Sequence, residues 1–234
     1  MIETIDNVGL SLFFGSDSAF VDHFALIVTN ALIWIPMFLA LGKLIIKNND
    51  NMQQILLCLG CIFLCVLFAS GTSNFIVKPI VERLRPCNDP NVMYMAQIAG
   101  NVHSRDFSFF SAHAANTMAV ATFFTLLVRS GMLSGLLVVW SLLNVWTRLY
   151  LGQHFLTDVI VGLLWGICSG ILAYLIYYRL YQSVAVRKRF VSSQYTSTGY
   201  AHTDVDVVLS VFALTLLCAM IPYEEIWNMI TVNL

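Results

Sequence analysis

Six stretches of the chain carry no Asp, Glu, Lys or Arg: His23 to Gly42, Asn51 to Val77, Phe107 to Val128, Ser130 to Thr147, Val159 to Tyr178 and Val207 to Tyr223. A membrane-spanning helix needs about 20 predominantly apolar residues, and these stretches run from 17 to 27. The pattern predicts an all-α, polytopic membrane protein. Its architecture is a six-transmembrane-helix bundle, with helices at about 23–46, 52–77, 111–129, 132–150, 156–179 and 206–223, in a single integral-membrane domain, 1–234. Six such helices buried inside a soluble protein would need far more polar chain around them than 234 residues supply. Residues 1–22 read as a short interfacial segment. The two polar-rich connections 78–110 and 148–158 carry most of the candidate chemistry, and 181–203 reads as a Ser/Thr-rich basic linker.

Composition sharpens the picture. Hydrophobic residues make up 59% of the chain and charged residues 11%, against about 25% in soluble proteins. Net charge is −1. Disorder and a basic nucleic-acid-binding tail are excluded, so no nucleic-acid partner is expected. The acidic first residues, with no leading apolar run, do not read as a cleavable signal peptide. Cys58, Cys61, Cys65, Cys168 and Cys218 lie in apolar stretches, where cysteine behaves as a small hydrophobe. Cys87 has no cysteine partner within its loop.

Six helices put the 1–2, 3–4 and 5–6 connections on one side. That side holds seven basic residues (Lys43, Lys47, Arg129, Arg179, Arg187, Lys188, Arg189) and the other five (Lys78, Arg83, Arg85, Arg105, Arg148). Basic residues concentrate in cytoplasmic loops. The expected location is the cell (inner) membrane, multi-pass, with connections 78–110 and 148–158 facing outward.

Those connections hold a constellation. Lys78 and Arg85 are seven apart, a spacing that places them on one face if the segment is helical. Ser111 and His113 open the third helix and Arg148 closes the fourth. His154 and Asp158, four apart, share a face at the start of the fifth. Three cations, two histidines and a carboxylate at one membrane depth are costly and point to function. Arginine forks match phosphate oxygens, and a serine-capped helix start aims free N–H groups at an anion. A histidine paired with a carboxylate suits nucleophilic attack, while a second histidine can protonate the leaving oxygen. A transporter would place charge in mid-helix, whereas here it sits at helix ends.

Lys78 through Arg85-Pro86, Phe110-Ser111-Ala112-His113 and Thr147-Arg148 with His154 and Asp158 together resemble the three motifs of the type 2 phosphatidic acid phosphatase superfamily. Phe110, Ala112 and Thr147 stand where the family usually has Pro, Gly and Ser. The resemblance implies a membrane lipid phosphatase with His154 as nucleophile, Asp158 orienting it and His113 as general acid and base. Lys78, Arg85, Ser111 and Arg148 would hold the phosphoryl group, with no metal and no cofactor. The implied partner is a lipid phosphate or diphosphate in the bilayer. Candidates are polyprenyl diphosphate and lipid A phosphate foremost, then phosphatidylglycerol phosphate and phosphatidic acid. A head-group phosphotransferase using the same histidine is the alternative. His103 is placed near the head group; His23 and His202 are read as surface residues.

Overall fold

The computed structural model describes residues 2–13, 15, 18–93, 106–184 and 193–221. His103, Arg105 and the basic run Arg187, Lys188 and Arg189 lie outside the described residues. The described chain is helical: α1 (Ile2–Phe13), α2 (Ala19–Val28), α3 (Ile35–Lys47), α4 (Met52–Val66), α5 (Lys78–Val81), α6 (Ala112–Val128), α7 (Gly131–Tyr150), α8 (Leu156–Val184) and α9 (His202–Ala219). Side-chain oxygens of Asn51, Ser111 and Ser130 cap α4, α6 and α7 by accepting otherwise orphaned backbone N–H groups.

Four of these runs are long and apolar enough to cross a membrane: Met52–Asn88, Gly131–Tyr150, Leu156–Val184 and His202–Ala219. The first is continuous because Leu67–Val77, wound in wider π-type turns, joins α4 to α5. Helices α2 and α3 make a fifth candidate span, bent by 66° at a break around Asn30, whose side chain accepts the Leu32 N–H. The described residues thus carry four to five candidate spans where the charge-free stretches suggest six. The difference lies in α6, whose 17 residues fall short of a full crossing. Large apolar side chains such as Leu39, Phe63 and Phe75 are exposed around the outside. In water such a surface would drive aggregation; in hydrocarbon it is a solvated face. The protein is an integral membrane protein.

Helix α6 is the central post. Most of its side chains are buried, and its small residues let neighbours approach closely. Against it runs a stripe of glycines on α8, Gly162, Gly166 and Gly170. A Cβ placed on these would stand 2.7, 2.5 and 2.6 Å from the carbonyl oxygens of Ser111, Ala115 and Ala119. Small residues spaced by four allow this backbone contact, a recurrent way of joining helices in lipid. The register has a local effect: the Ser111 N–H donates to the Asp158 carbonyl at 3.1 Å, tying the start of α6 to the first turn of α8.

Helix α1 packs against α8 and α7. Its Asp6 and Leu10 are buried, while Ile5, Val8 and Leu12 are exposed. Gly9 meets Leu156 so closely that a Cβ there would sit 2.6 Å from the Leu156 Cβ.

Candidate active site

Lys78 and Arg85 do not meet by helical spacing. Helix α5 ends at Val81, and Glu82 turns the chain in the left-handed region at φ 49°. Arg85 then takes an extended conformation before Pro86, as the ring of a following proline favours. The expectation of one helical face is corrected: the turn itself carries Arg85 inward. Its Nε donates to the Asp106 carbonyl at 2.8 Å, and its Nη1 donates to the Gln153 carbonyl and Oε1 at 3.2 and 3.1 Å. Lys78 is buried and donates to Asn74 Oδ1 at 2.9 Å, one turn back. Arg148, at the end of α7, donates from Nη1 to Thr29 Oγ1 at 3.0 Å, a hydroxyl presented by the α2–α3 bend. The Arg148 Nε is buried without a partner among the described residues. His113 lies in the fields of Arg148, Arg85 and Lys78, and Arg85 and Arg148 also act on His154. The three cations and two histidines are therefore electrostatic neighbours. His113 is exposed; Arg85, Ser111, His154 and Asp158 are buried.

The three departures from the usual motif are accommodated. Ala112 is the first residue of α6 and needs no positive φ. Phe110 is buried beside Trp165, and its carbonyl accepts from Ser73 Oγ at 2.7 Å. Thr147 keeps the hydroxyl, which donates to the Asn144 carbonyl at 2.7 Å.

The contact between His154 and Asp158 is indirect. Nδ1 of His154 stands 3.7 Å from the nearer carboxylate oxygen, too far for a hydrogen bond. Ser108 fills the gap. Its hydroxyl donates a short hydrogen bond to Asp158 Oδ2 and lies 3.3 Å from His154 Nδ1. A hydroxyl has one proton. With that proton on Asp158, the serine oxygen accepts the Nδ1–H, which leaves Nε2 unprotonated with its lone pair available. Burial, assisted by Arg85 and Arg148 and opposed by Asp158, pulls the His154 imidazole down to about 3, so the ring is neutral at physiological pH.

Asp158 is itself held from several directions. Oδ2 also accepts the Phe155 N–H at 2.9 Å, and Oδ1 accepts Arg83 Nη1 at 2.7 Å. The Arg83 guanidinium lies over the Phe155 ring, 3.9 Å from its centroid, and donates through Nη2 to Asp6 of α1. Asp6 in turn accepts the Thr157 N–H and hydroxyl at 3.0 and 2.8 Å. A chain of contacts thus runs from the N-terminal helix through Arg83, Asp158 and Ser108 to His154.

The motif spacing does not mark Ser108, Arg83, Asp6, Gln153 or Thr29. One signal was present: Ser108 is the lone hydroxyl in the run Phe107-Ser108-Phe109-Phe110. A neutral imidazole with a free ring nitrogen beside clustered cations can attack phosphorus while the cations take up equatorial charge.

The family model of the PAP2 superfamily matches residues 59–182, the segment that holds every cation and histidine of the cluster. A lipid A 4'-phosphatase of Bacteroides thetaiotaomicron is 36% identical over 185 residues, covering 77% of this chain and 81% of that protein. A lipid A 4'-phosphatase of Porphyromonas gingivalis is 25% identical over 165 residues, covering 70% and 69%. The crystal structure of a transmembrane PAP2 type phosphatidylglycerolphosphate phosphatase from Bacillus subtilis shares the fold, with a TM-score of 0.53 and 22% identity over 81% of this chain and 87% of that one. The extent of these matches, over the same residues that build the cluster, places the chain in the PAP2 superfamily as a membrane lipid phosphatase.

Proposed function

We propose that the protein removes a phosphate from lipid A or a closely related phosphorylated glycolipid, through a phosphohistidine, at the outer face of the inner membrane. The observation that carries the chemistry is the His154–Ser108–Asp158 chain set beside Lys78, Arg85 and Arg148. The two lipid A 4'-phosphatase relatives favour lipid A phosphate over polyprenyl diphosphate as substrate.

In the first step the Nε2 lone pair of His154 forms a bond to phosphorus and the phosphorus–oxygen bond to the lipid breaks. His113 takes up a proton as the negative charge of the bound phosphate offsets Lys78, Arg85 and Arg148, and gives it to the departing lipid oxygen. In the second, neutral His113 takes a proton from water, the water oxygen bonds to phosphorus, and the electrons of the N–P bond return to His154. Phosphate leaves and His113 is protonated again. Lys78, Arg85, Arg148 and the N–H groups at the start of α6 stabilise the charge on the equatorial oxygens in both steps. The reading requires no cofactor.

The test is phosphate release by the purified, reconstituted protein from lipid A phosphate, polyprenyl diphosphate, phosphatidylglycerol phosphate and phosphatidic acid. Isotopic label is chased into an acid-labile adduct that His154→Ala abolishes. Lipid A phosphate is expected to give the highest kcat/KM, with free phosphate as product, activity retained in EDTA and inhibition by vanadate. A phosphorylated acceptor in place of free phosphate would convert the reading to a phosphotransferase. Full activity in His154→Ala would refute the nucleophile. Orientation is tested with an impermeant thiol reagent on exposed positions: Asn91→Cys is labelled from outside and Asp50→Cys from the cytoplasm, in a background lacking Cys168 and Cys218.

A further inference from the structure

A cavity of about 470 Å³ opens at His113 and descends between α3, α4, α6 and α7, a size typical of ligand sites. On α6 its wall is the stripe His113, Asn116, Thr117, Val120 and Phe124. At 1.5 Å of rise per residue, that stripe reaches roughly 16 Å below the reacting level. The remaining wall is almost wholly apolar, and Phe38 and Leu59, which line it, are also exposed to lipid, so the cleft communicates with the bilayer. Thr29, the residue that holds Arg148, lines it as well. The cavity is thus continuous with the phosphate site at both His113 and Thr29.

Two side chains in the wall break the apolar pattern. Asn116 Oδ1 and Trp140 Nε1 are buried and have no hydrogen-bond partner among the described residues. Buried polar groups are nearly always paired. The neighbouring Thr117 and Asn144, by contrast, are paired within the protein, to Ser141 and to the Trp140 carbonyl. Asn116 stands about one turn below His113, and Trp140 about two turns below Arg148, on facing helices. The buried Asn116 Oδ1 is an acceptor, beside the NH2 donors of the same amide, and the buried Trp140 Nε1 is a donor. A ligand that satisfies both carries a donor and an acceptor where its chain begins, within about 12 Å of the phosphate. A polyprenyl chain carries neither, and an ester carries acceptors alone. A secondary amide carries an N–H and a C=O pointing in opposite directions.

Resting on the phosphatase reading above, we propose that this cavity receives an acyl chain joined to the phosphorylated head group by an amide. Asn116 accepts the amide N–H and Trp140 donates to the amide carbonyl. These two residues determine specificity and take no part in the phosphoryl transfer.

The test uses two synthetic substrates that share one phosphorylated sugar and one saturated chain, the chain being amide-linked in one and ester-linked in the other. In the wild-type protein, kcat/KM is expected to favour the amide about tenfold, the cost of leaving one buried acceptor unpaired. Asn116→Leu is expected to remove that preference. Trp140→Phe, which loses only the donor shared by both carbonyls, is expected to lower both rates and keep the ratio. Equal kcat/KM for the two lipids in the wild-type protein would overturn the proposal without any variant having to fold. So would an amide preference that persists in Asn116→Leu. Absence of phosphate release from either lipid would instead overturn the phosphatase reading on which this one stands.

Discussion

Replacing Ser108 with alanine isolates the hydroxyl that stands between the proposed nucleophile, His154, and the Asp158 carboxylate. The side chain is fully buried and touches both Asp158 and His154. A hydrogen bond to a charged group contributes about 1.5–3 kcal/mol. If that whole amount is realised in the transition state, kcat falls by about 10- to 150-fold, at about 1.4 kcal/mol per decade. The loss falls on kcat and leaves KM nearly unchanged, because the hydroxyl acts on the imidazole and not on the lipid. Steady-state phosphate release from the reconstituted enzyme measures both constants, and a thermal melt checks that the fold survives. Asp158→Asn is expected to cost more, about 10²–10⁴ by analogy with other histidine–carboxylate pairs. The double variant should be little worse than Asp158→Asn alone, since both changes cut one chain of contacts. A Ser108→Ala enzyme within twofold of wild type would refute the bridge. Additive losses in the double variant would show that serine and aspartate act on different things.

Three further expectations follow from the same geometry. With its folded pKa held near 3 against an ordinary 6.5, His154 contributes stability that is present above pH 6.5 and lost as pH falls from there toward 3. In that window the unfolded chain takes up a proton that the folded one refuses. The melting temperature should therefore drop between pH 7 and 4, and His154→Gln should flatten the slope. Gly166→Leu places a Cβ 2.5 Å from the Ala115 carbonyl and 2.9 Å from the Met118 Cβ, and should cost about 1–3 kcal/mol, read as a lowered melting temperature. Gly135→Ala, with nothing within 4 Å of the added carbon, should hold the melting temperature or raise it slightly. Arg83→Met strands Asp6 and Asp158, both buried, and should lower stability by about 3 kcal/mol in chemical denaturation.

Much of the fold was legible because charge in a membrane chain is confined to a few permitted places. The charge-free stretches Ser130 to Thr147 and Val159 to Tyr178 fall within α7 and α8 but for one residue, and that from Asn51 to Val77 takes in α4 and the wide turns that follow it. What the gaps could not show is geometry inside them: the bend at Asn30, the wide turns of Leu67–Val77 and the short reach of α6 all occur in stretches of uniform hydropathy. The candidate reacting groups stood out because they come at fixed spacings near helix ends. Their supports did not. Ser108 and Asp6 acquire their roles from contacts with residues 46 to 151 positions away, and no local spacing encodes such a partner. The left-handed turn at Glu82 was hidden for another reason: a glutamate there carries none of the signature a glycine would.

The clasp between Asp6 and Thr157 joins residues 151 positions apart in the chain. During synthesis, therefore, α1 waits for its counterpart until Thr157, about two thirds of the way along these 234 residues, has been made. Until then Arg83 and Asp158 cannot take their final arrangement, although Lys78, Arg85 and Arg148 have all been translated. Timing, on this view, is written into connectivity: the chain acquires the proposed nucleophile, its brace and the partner of α1 within five consecutive residues, 154 to 158, as one late event of assembly.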